Sequence, residues 1–260
     1  MMAGLTDKEI ANRKGRITGS TFAGLLGYSP YDSPSYWWAL QMGAPGVKPT
    51  LPMRLGIRYE DVITESAVEA LTEGRVRLGK AGDVYRRGEK PTSVFHAQER
   101  EWLVVHPDWV CWDAKELIQS KRHDPRLAAQ YGNLPEERHN DQVPLHELIQ
   151  CQVELACWRS QYGQSWRTCW LAVEFGYGSG PVLYRIAYDP QLADSLIEAG
   201  RRFWNVHMDP MDPHRPDDEE WKRWIAGGQA EDRKKKFTPA RVKLAPSDLL
   251  AAPIPQVGAR

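Results

Sequence analysis

No run of this chain approaches the roughly 20 consecutive apolar residues that cross a bilayer as a helix. The opening, MMAGLTDKEIANRKGR, lacks the apolar core of a secretory signal, so the expected location is the cytoplasm. Net charge is also missing: 34 lysines and arginines offset 34 aspartates and glutamates. A protein basic over its whole surface is thereby excluded, whereas a basic groove beneath an acidic exterior is not. Cysteine is sparse. Cys111, Cys151, Cys157 and Cys169 form no CxxC pair, which leaves a zinc ribbon or iron–sulfur site unsupported and makes reduced, buried thiols the expectation. The seven histidines contain neither HExxH nor HxH, so a histidine-built metal centre is unsupported as well.

What is there is a globular composition, 42% hydrophobic and 26% charged, unlike that of a disordered chain. A length of 260 residues suits one domain better than two, and such a domain can bury its core without disulfide or metal. Eleven tryptophans are expected mainly in core and rim packing, with base stacking as the alternative use.

Turn signals and periodicity divide the chain. Thr18 or Ser20 can cap a helix over Thr21–Leu26, with Gly27 as its stop. A further short helix is expected around Tyr36–Met42, and GAPGVKPTLP reads as a loop. Leu55, Tyr59, Val62, Ile63, Ala67, Ala70 and Leu71 recur at helical spacing. Residues 75–90 carry six basic residues against two acidic ones. Strands are expected over Trp102–Cys111, Glu116–Lys121, Arg167–Phe175 and Val182–Tyr188, and helices over Glu147–Trp158 and Gln191–His207. Residues 122–145 are polar and read as a loop. Beyond Pro216 the pattern decays into a proline-rich tail with the basic run Arg233–Lys236. The order of elements predicts a mixed α/β domain around one central sheet.

The chemistry concentrates in VVHPDWVCWDAKELIQSKR, two β-like runs around a short turn. Side chains alternate along a strand, so Gln119 and Lys121 share a face and Ser120 points away. Asp108 lies near the opposite side of the same hairpin. An aspartate, an oxygen ligand and a lysine converging there would suit phosphodiester hydrolysis. Carboxylates hold a hard cation such as magnesium, and the lysine can orient or deprotonate the water that it activates. Taken alone, an aspartate and a lysine on a hairpin are usually just solvated.

HPDW followed by QSK resembles the paired motif of the PD-(D/E)xK nuclease superfamily, and the surrounding chain is similar to its lambda-exonuclease or YqaJ-like viral recombinase branch. RKGRITGS, GYSPYDSPSYWW, LGIRYEDVI, LIQCQVELACW, LAVEFG and the helix ending FWNVH match in order, from about Arg13 to Pro216. The resemblance implies a restriction-endonuclease-like core with a central mixed sheet flanked by helices. It implies a nuclease domain over 1–216 and a C-terminal extension over 217–260. It makes Asp108 the metal-binding aspartate and Lys121 the catalytic lysine. Gln119 takes the place of the usual second carboxylate, and the backbone carbonyl of Ser120 completes the shell. Glu60 would sit beside the metal and Gln150 would contact the reacting end. Arg13, Ser20 and Gln152 would bind DNA.

The implied activity is a magnesium-dependent 5′-to-3′ exonuclease, with manganese as a possible substitute. It would act on linear duplex DNA ends and leave 3′ overhangs for phage-type recombination. A homotrimeric ring, a single-strand annealing recombinase as partner, and a phage or prophage origin within a bacterial host follow from the same resemblance. The departure is Gln119, since the family normally has glutamate there. Glu116 cannot replace it, because the odd spacing puts the two on opposite faces, and Asp113 lies in the turn. Three readings of the glutamine stay open: an active variant, an inactive one, and a deliberate knock-out. The competing functions are a RecB- or Cas4-like nuclease and a non-catalytic DNA-end-binding module.

Overall fold

The computed structural model describes residues 7–13, 15–31, 37, 50–77, 85–132, 143–176, 178 and 180–208. In chain order its elements are helix α1 (Asp7–Arg13), strand β1 (Ile17–Thr18), helix α2 (Gly19–Leu25) and the long helix α3 (Leu51–Arg77). Strands β2 (Val94–Phe95), β3 (Leu103–Val105), β4 (Trp109–Cys111) and β5 (Glu116–Arg122) follow, then a 3-10 helix over Pro125–Gln130. Helix α4 (Leu145–Tyr162), strands β6 (Thr168–Glu174) and β7 (Val182–Ala187), and helix α5 (Pro190–His207) complete it. The expected helix over Tyr36–Met42 apart from Trp37, residues 43–49 of the expected loop after it, and the segment beyond Pro216 with its basic run lie outside the described residues, while Leu51 and Pro52 at the end of that expected loop already belong to α3.

The central sheet runs β4-β5-β6-β7. Its middle pair, β5 and β6, is parallel, with Gln119 opposite Leu171 and Lys121 opposite Val173, and the two outer pairs are antiparallel. A parallel pair needs a long crossover, and α4 provides it. Alternation along the strands then builds a core on each face. Leu117, Cys169, Leu171 and Val173 pack with Ile149, Val153 and Cys157 of α4 on one side. Ile118, Ala172 and Cys111 pack with Ile63, Ala67, Val68 and Leu71 of α3 on the other. All four cysteines are buried thiols, as expected. Trp158 and Trp166 are fully buried in the α4-side core, the packing role expected of most tryptophans.

Residues 125–130, read as part of a loop, form the 3-10 helix, and the sequence expectation fails at three larger features. Trp102–Cys111 is not one strand: it breaks at His106–Asp108 into β3 and β4, which belong to different sheets. Pro107 has no N–H to give to a ladder, and Asp108 turns its carboxylate toward β5. The single expected sheet is accordingly joined by a second, three-stranded one of order β1-β3-β2, whose strands of two or three residues are too short to show any period. Along α3 the apolar stripe overstates burial. Ile63, Ala67 and Leu71 are buried, whereas Tyr59 and Val62, which precede the part of the helix that meets Ile118 and Ala172, are exposed, and so is Ala70, which lies off the buried row. Thr18 stands at the N-cap of α2, its N–H donates to Thr21 Oγ1 at 3.1 Å, and Gly27 at φ 83° ends that helix. Among the described residues, no helix is long and apolar enough to cross a membrane.

Gly88 fixes the approach of the preceding segment to β4. Glu89 and Val110 exchange backbone hydrogen bonds at 3.0 and 2.9 Å. A Cβ on Gly88 would lie 2.5 Å from the Val110 carbonyl oxygen, which cannot swing aside as a side chain can. Gly88→Ala is therefore expected to lower stability by about 1–3 kcal/mol. Gly56 in α3 meets nothing within 4 Å, so Gly56→Ala should raise stability by about 0.5–1 kcal/mol through helix propensity alone. Denaturant melts of the two variants check the pair, and equal shifts would contradict the packing described.

Candidate active site

The β4–β5 hairpin closes on a single oxygen. Asp108 Oδ2 accepts from Gln119 Nε2 at 2.8 Å, from the Ser120 backbone N–H at 2.7 Å and from Ser120 Oγ at 2.8 Å. All three residues are buried. The geometry follows from strand order: Asp108 directly precedes β4, and Trp109 pairs with Ile118, which leaves Asp108 across from Gln119. Gln119 spends its amide N–H on the aspartate. Its Oε1 is buried and accepts no hydrogen bond.

Odd-numbered side chains of β5 share the face of Leu117, which packs under α4. From that helix Glu147, Gln150 and Glu154 look back along one stripe, at the i, i+3, i+7 spacing of a single helix face. Gln150 Nε2 donates to Glu154 Oε1 at 2.9 Å, while Glu154 Oε2 is buried with no hydrogen bond. Burial pushes the Glu154 carboxyl up to about 8, and the Asp108 charge adds to the rise. The bond from Gln150 and the charges of Lys121 and Arg13 oppose it. Space for this carboxylate comes from Gly19, where a Cβ would sit 3.1 Å from Glu154 Oε1.

On the opposite face Glu60 of α3 accepts from Lys90 Nζ at 3.0 Å, and Asp61 accepts from the same ammonium at 3.2 Å. Burial raises the Glu60 carboxyl, and the Asp108 charge adds to it against the pull of Lys90. Asp108 thus acts on a carboxyl group on each side of the sheet.

Beyond β5, Glu147 accepts from Tyr131 Oη at 2.7 Å and bonds His123 Nε2. Against the cost of its burial, the His123 bond and the nearby positive charges hold its carboxyl below the usual range. This network ties the end of β5 and the 3-10 helix to the first turn of α4.

A model of the YqaJ-like viral recombinase domain matches residues 10–162, more than half of the chain. The chain belongs to that family. No curated protein matches it. For a YqaJ-like chain the match ends with α4, and β6, β7 and α5 extend the same core.

Among the YqaJ-motif residues, hydrogen bonds join Asp108, Gln119 and Ser120; Lys121 shares the Gln119 face of β5, Gln150 looks toward that face from α4, and Glu60 lies on the opposite face within electrostatic reach of Asp108. Arg13, which ends α1, acts on Glu154 electrostatically, and Ser20 is exposed beside Gly19 with its hydroxyl 3.2 Å from Thr18 Oγ1. Gln152 corrects the expectation of DNA contact. It is fully buried, its Nε2 donates to the Ala187 carbonyl at 2.7 Å, and its Oε1 accepts from the Asp189 N–H at 3.0 Å. Two residues along a helix turn about 200° away, so Gln152 faces the β7–α5 junction when Gln150 faces the site. Glu116 accepts from Tyr85 and from Trp170 Nε1 on the α3 side, and Asp113 pairs with Arg87, which removes both as substitutes for a ligand at 119. Glu154, Lys90 and the Glu147–His123 pair fall outside the motif residues. Glu154 had a visible signal, an acid four residues after Gln150 inside the apolar run VELACW.

A carboxyl group with a folded pKa near 8 and an ordinary unfolded value favours the folded state only while it is protonated. Its contribution is lost as pH rises between those two values. In chelator, Glu154→Gln should therefore melt higher than the wild type at pH 9, and the gain should shrink toward pH 5. A difference independent of pH would contradict the carboxyl environment described.

Proposed function

We propose that the chain is a metal-dependent deoxyribonuclease that trims linear duplex DNA from its 5′ ends and leaves 3′ overhangs for recombination. The observation that carries the reading is the convergence of Asp108, Gln119 and Lys121 on one hairpin with a buried, unbonded oxygen on Gln119. Such an oxygen is costly unless something fills its lone pairs, and a magnesium or manganese ion suits an amide oxygen beside a carboxylate. Among the described residues no three His, Cys, Asp or Glu side chains form a ready ligand group. The fit therefore rests on a mixed set: Asp108, Gln119 Oε1 and the Ser120 carbonyl, with Glu60 ordering water nearby. The ion would supply a water of lowered pKa and offset charge on the phosphate.

The side chains have separable tasks. Lys121 shares the Gln119 face and is placed to orient or deprotonate the attacking water. Gln150 would meet the reacting end from α4. Arg13 and Ser20 would hold a terminal phosphate, for which a guanidinium fork is well suited. A homotrimeric ring with a basic channel is compatible with zero net charge and would keep the enzyme on its DNA. The single-strand annealing recombinase is the proposed partner, and the cytoplasm of a phage-infected or lysogenic bacterium the proposed setting. The second reading, a DNA-end-binding protein without catalysis, draws on Gln119, which brings no charge to the metal. An iron–sulfur nuclease is disfavoured by geometry, since Cys111 lies in the α3-side core and the other three cysteines in the α4-side core.

Linear 5′-phosphorylated duplex incubated with the protein should be digested in magnesium or manganese and stay intact in EDTA. Asp108→Ala and Lys121→Ala should each lower the rate at least about 100-fold. Binding of DNA ends without cleavage in either metal would favour the second reading.

A further inference from the structure

The proposed nuclease needs more negative charge at its metal than Asp108 alone provides, and the face of β5 that carries Gln119 offers no acid. We propose that Glu154, reaching in from α4, supplies the missing carboxylate ligand, so that Asp108, Gln119 and Glu154 hold the divalent cation between strand and helix. This inference rests on the nuclease reading above and adds a residue to it.

Three observations carry it. Among the described residues, Glu154 Oε2 is the one buried carboxylate oxygen that accepts no hydrogen bond, and Gln119 Oε1 is the one buried amide oxygen in that state. Both side chains are almost wholly enclosed, at 1% and 4% exposure, so water from the bulk does not satisfy them. Second, the other acids around the hairpin are engaged elsewhere. Glu60 holds Lys90, Glu147 holds Tyr131 and His123, and Glu116 holds Tyr85 and Trp170. Third, Glu154 is positioned rather than merely buried. Gln150 clamps its Oε1 at 2.9 Å, Gly19 leaves it room, and it lies within electrostatic reach of both Asp108 and Lys121.

The chemistry is that of a charge moved across the site. A magnesium ion takes one or two carboxylates and keeps several waters. Two carboxylates and an amide oxygen meet that need whether the second acid stands on the strand or on the facing helix. A glutamate buried for packing alone would be a poor choice, because an apolar or amide side chain of the same size fills the space at lower desolvation cost.

Manganese binding to the intact protein, followed by titration calorimetry and by the EPR signal of free ion, tests the assignment without reference to catalysis. Asp108→Asn should abolish binding. Glu154→Gln should weaken it by about tenfold or more while the chelator-treated protein still melts cooperatively. The double variant Gln119→Glu/Glu154→Gln, which returns the acid to β5, should recover near-wild-type affinity. Should Glu154→Gln not fold, Glu154→Asp, which keeps the charge but draws the carboxylate back by one methylene, decides alone: weakened binding by the folded protein supports the assignment and unchanged affinity overturns it. Unchanged affinity in Glu154→Gln overturns the assignment but leaves the hairpin site standing if Asp108→Asn still abolishes binding. Loss in Glu154→Gln without recovery in the double variant also overturns it, reducing Glu154 to a packing role. Full binding by Asp108→Asn would instead overturn the nuclease reading of the hairpin itself.

Discussion

One carboxylate oxygen, Asp108 Oδ2, carries the arrangement on which the rest depends. Three donors from Gln119 and Ser120 reach it within 2.8 Å. Hydrogen bonds to a charged acceptor contribute about 1.5–3 kcal/mol each, and together they offset the cost of burying the aspartate. They also set the position of β4 against β5 and turn Gln119 Oε1 outward from the bond. The side chain that organises the hairpin is thus the one that the proposed chemistry requires.

A comparison among the buried acids separates structural from chemical use. Glu116 and Glu147 are each met by two donors and stitch elements together: Glu116 ties β5 to β6 and the Tyr85 segment, and Glu147 ties α4 to the end of β5. Glu154 has one donor for two oxygens and sits where Asp108 adds to its burden. An acid left half-satisfied inside a tight core is destabilising unless it serves a ligand. Strain of this kind at a functional site is common, and the well-packed cores on either face of the sheet are able to sustain it.

Much of this was legible in the residues. Periodicity located α3, α4, α5, β5, β6 and β7 to within a few residues, because each buries a face long enough to repeat. The motif residues marked the hairpin, and parity along β5 correctly separated Gln119 from Glu116. What was not legible had physical causes. Strands of two residues leave no period, and Pro107 breaks a run that hydrophobicity alone joins. The stripe on α3 did not say which half of the helix meets the sheet. Gln150 and Gln152 look alike in sequence, and only the helical turn between them assigns one to the site and the other to the β7–α5 junction. Glu154 reads as one more helix glutamate until its oxygen is found to be enclosed.

The central claim is that the hairpin is a cation site. The most direct measurement is an anomalous difference map from a crystal of the protein grown with manganese. A peak about 2 Å from the Asp108 carboxylate and from Gln119 Oε1 is the predicted result. A peak elsewhere on the chain, with Asp108 still held by Gln119 and Ser120, would contradict it.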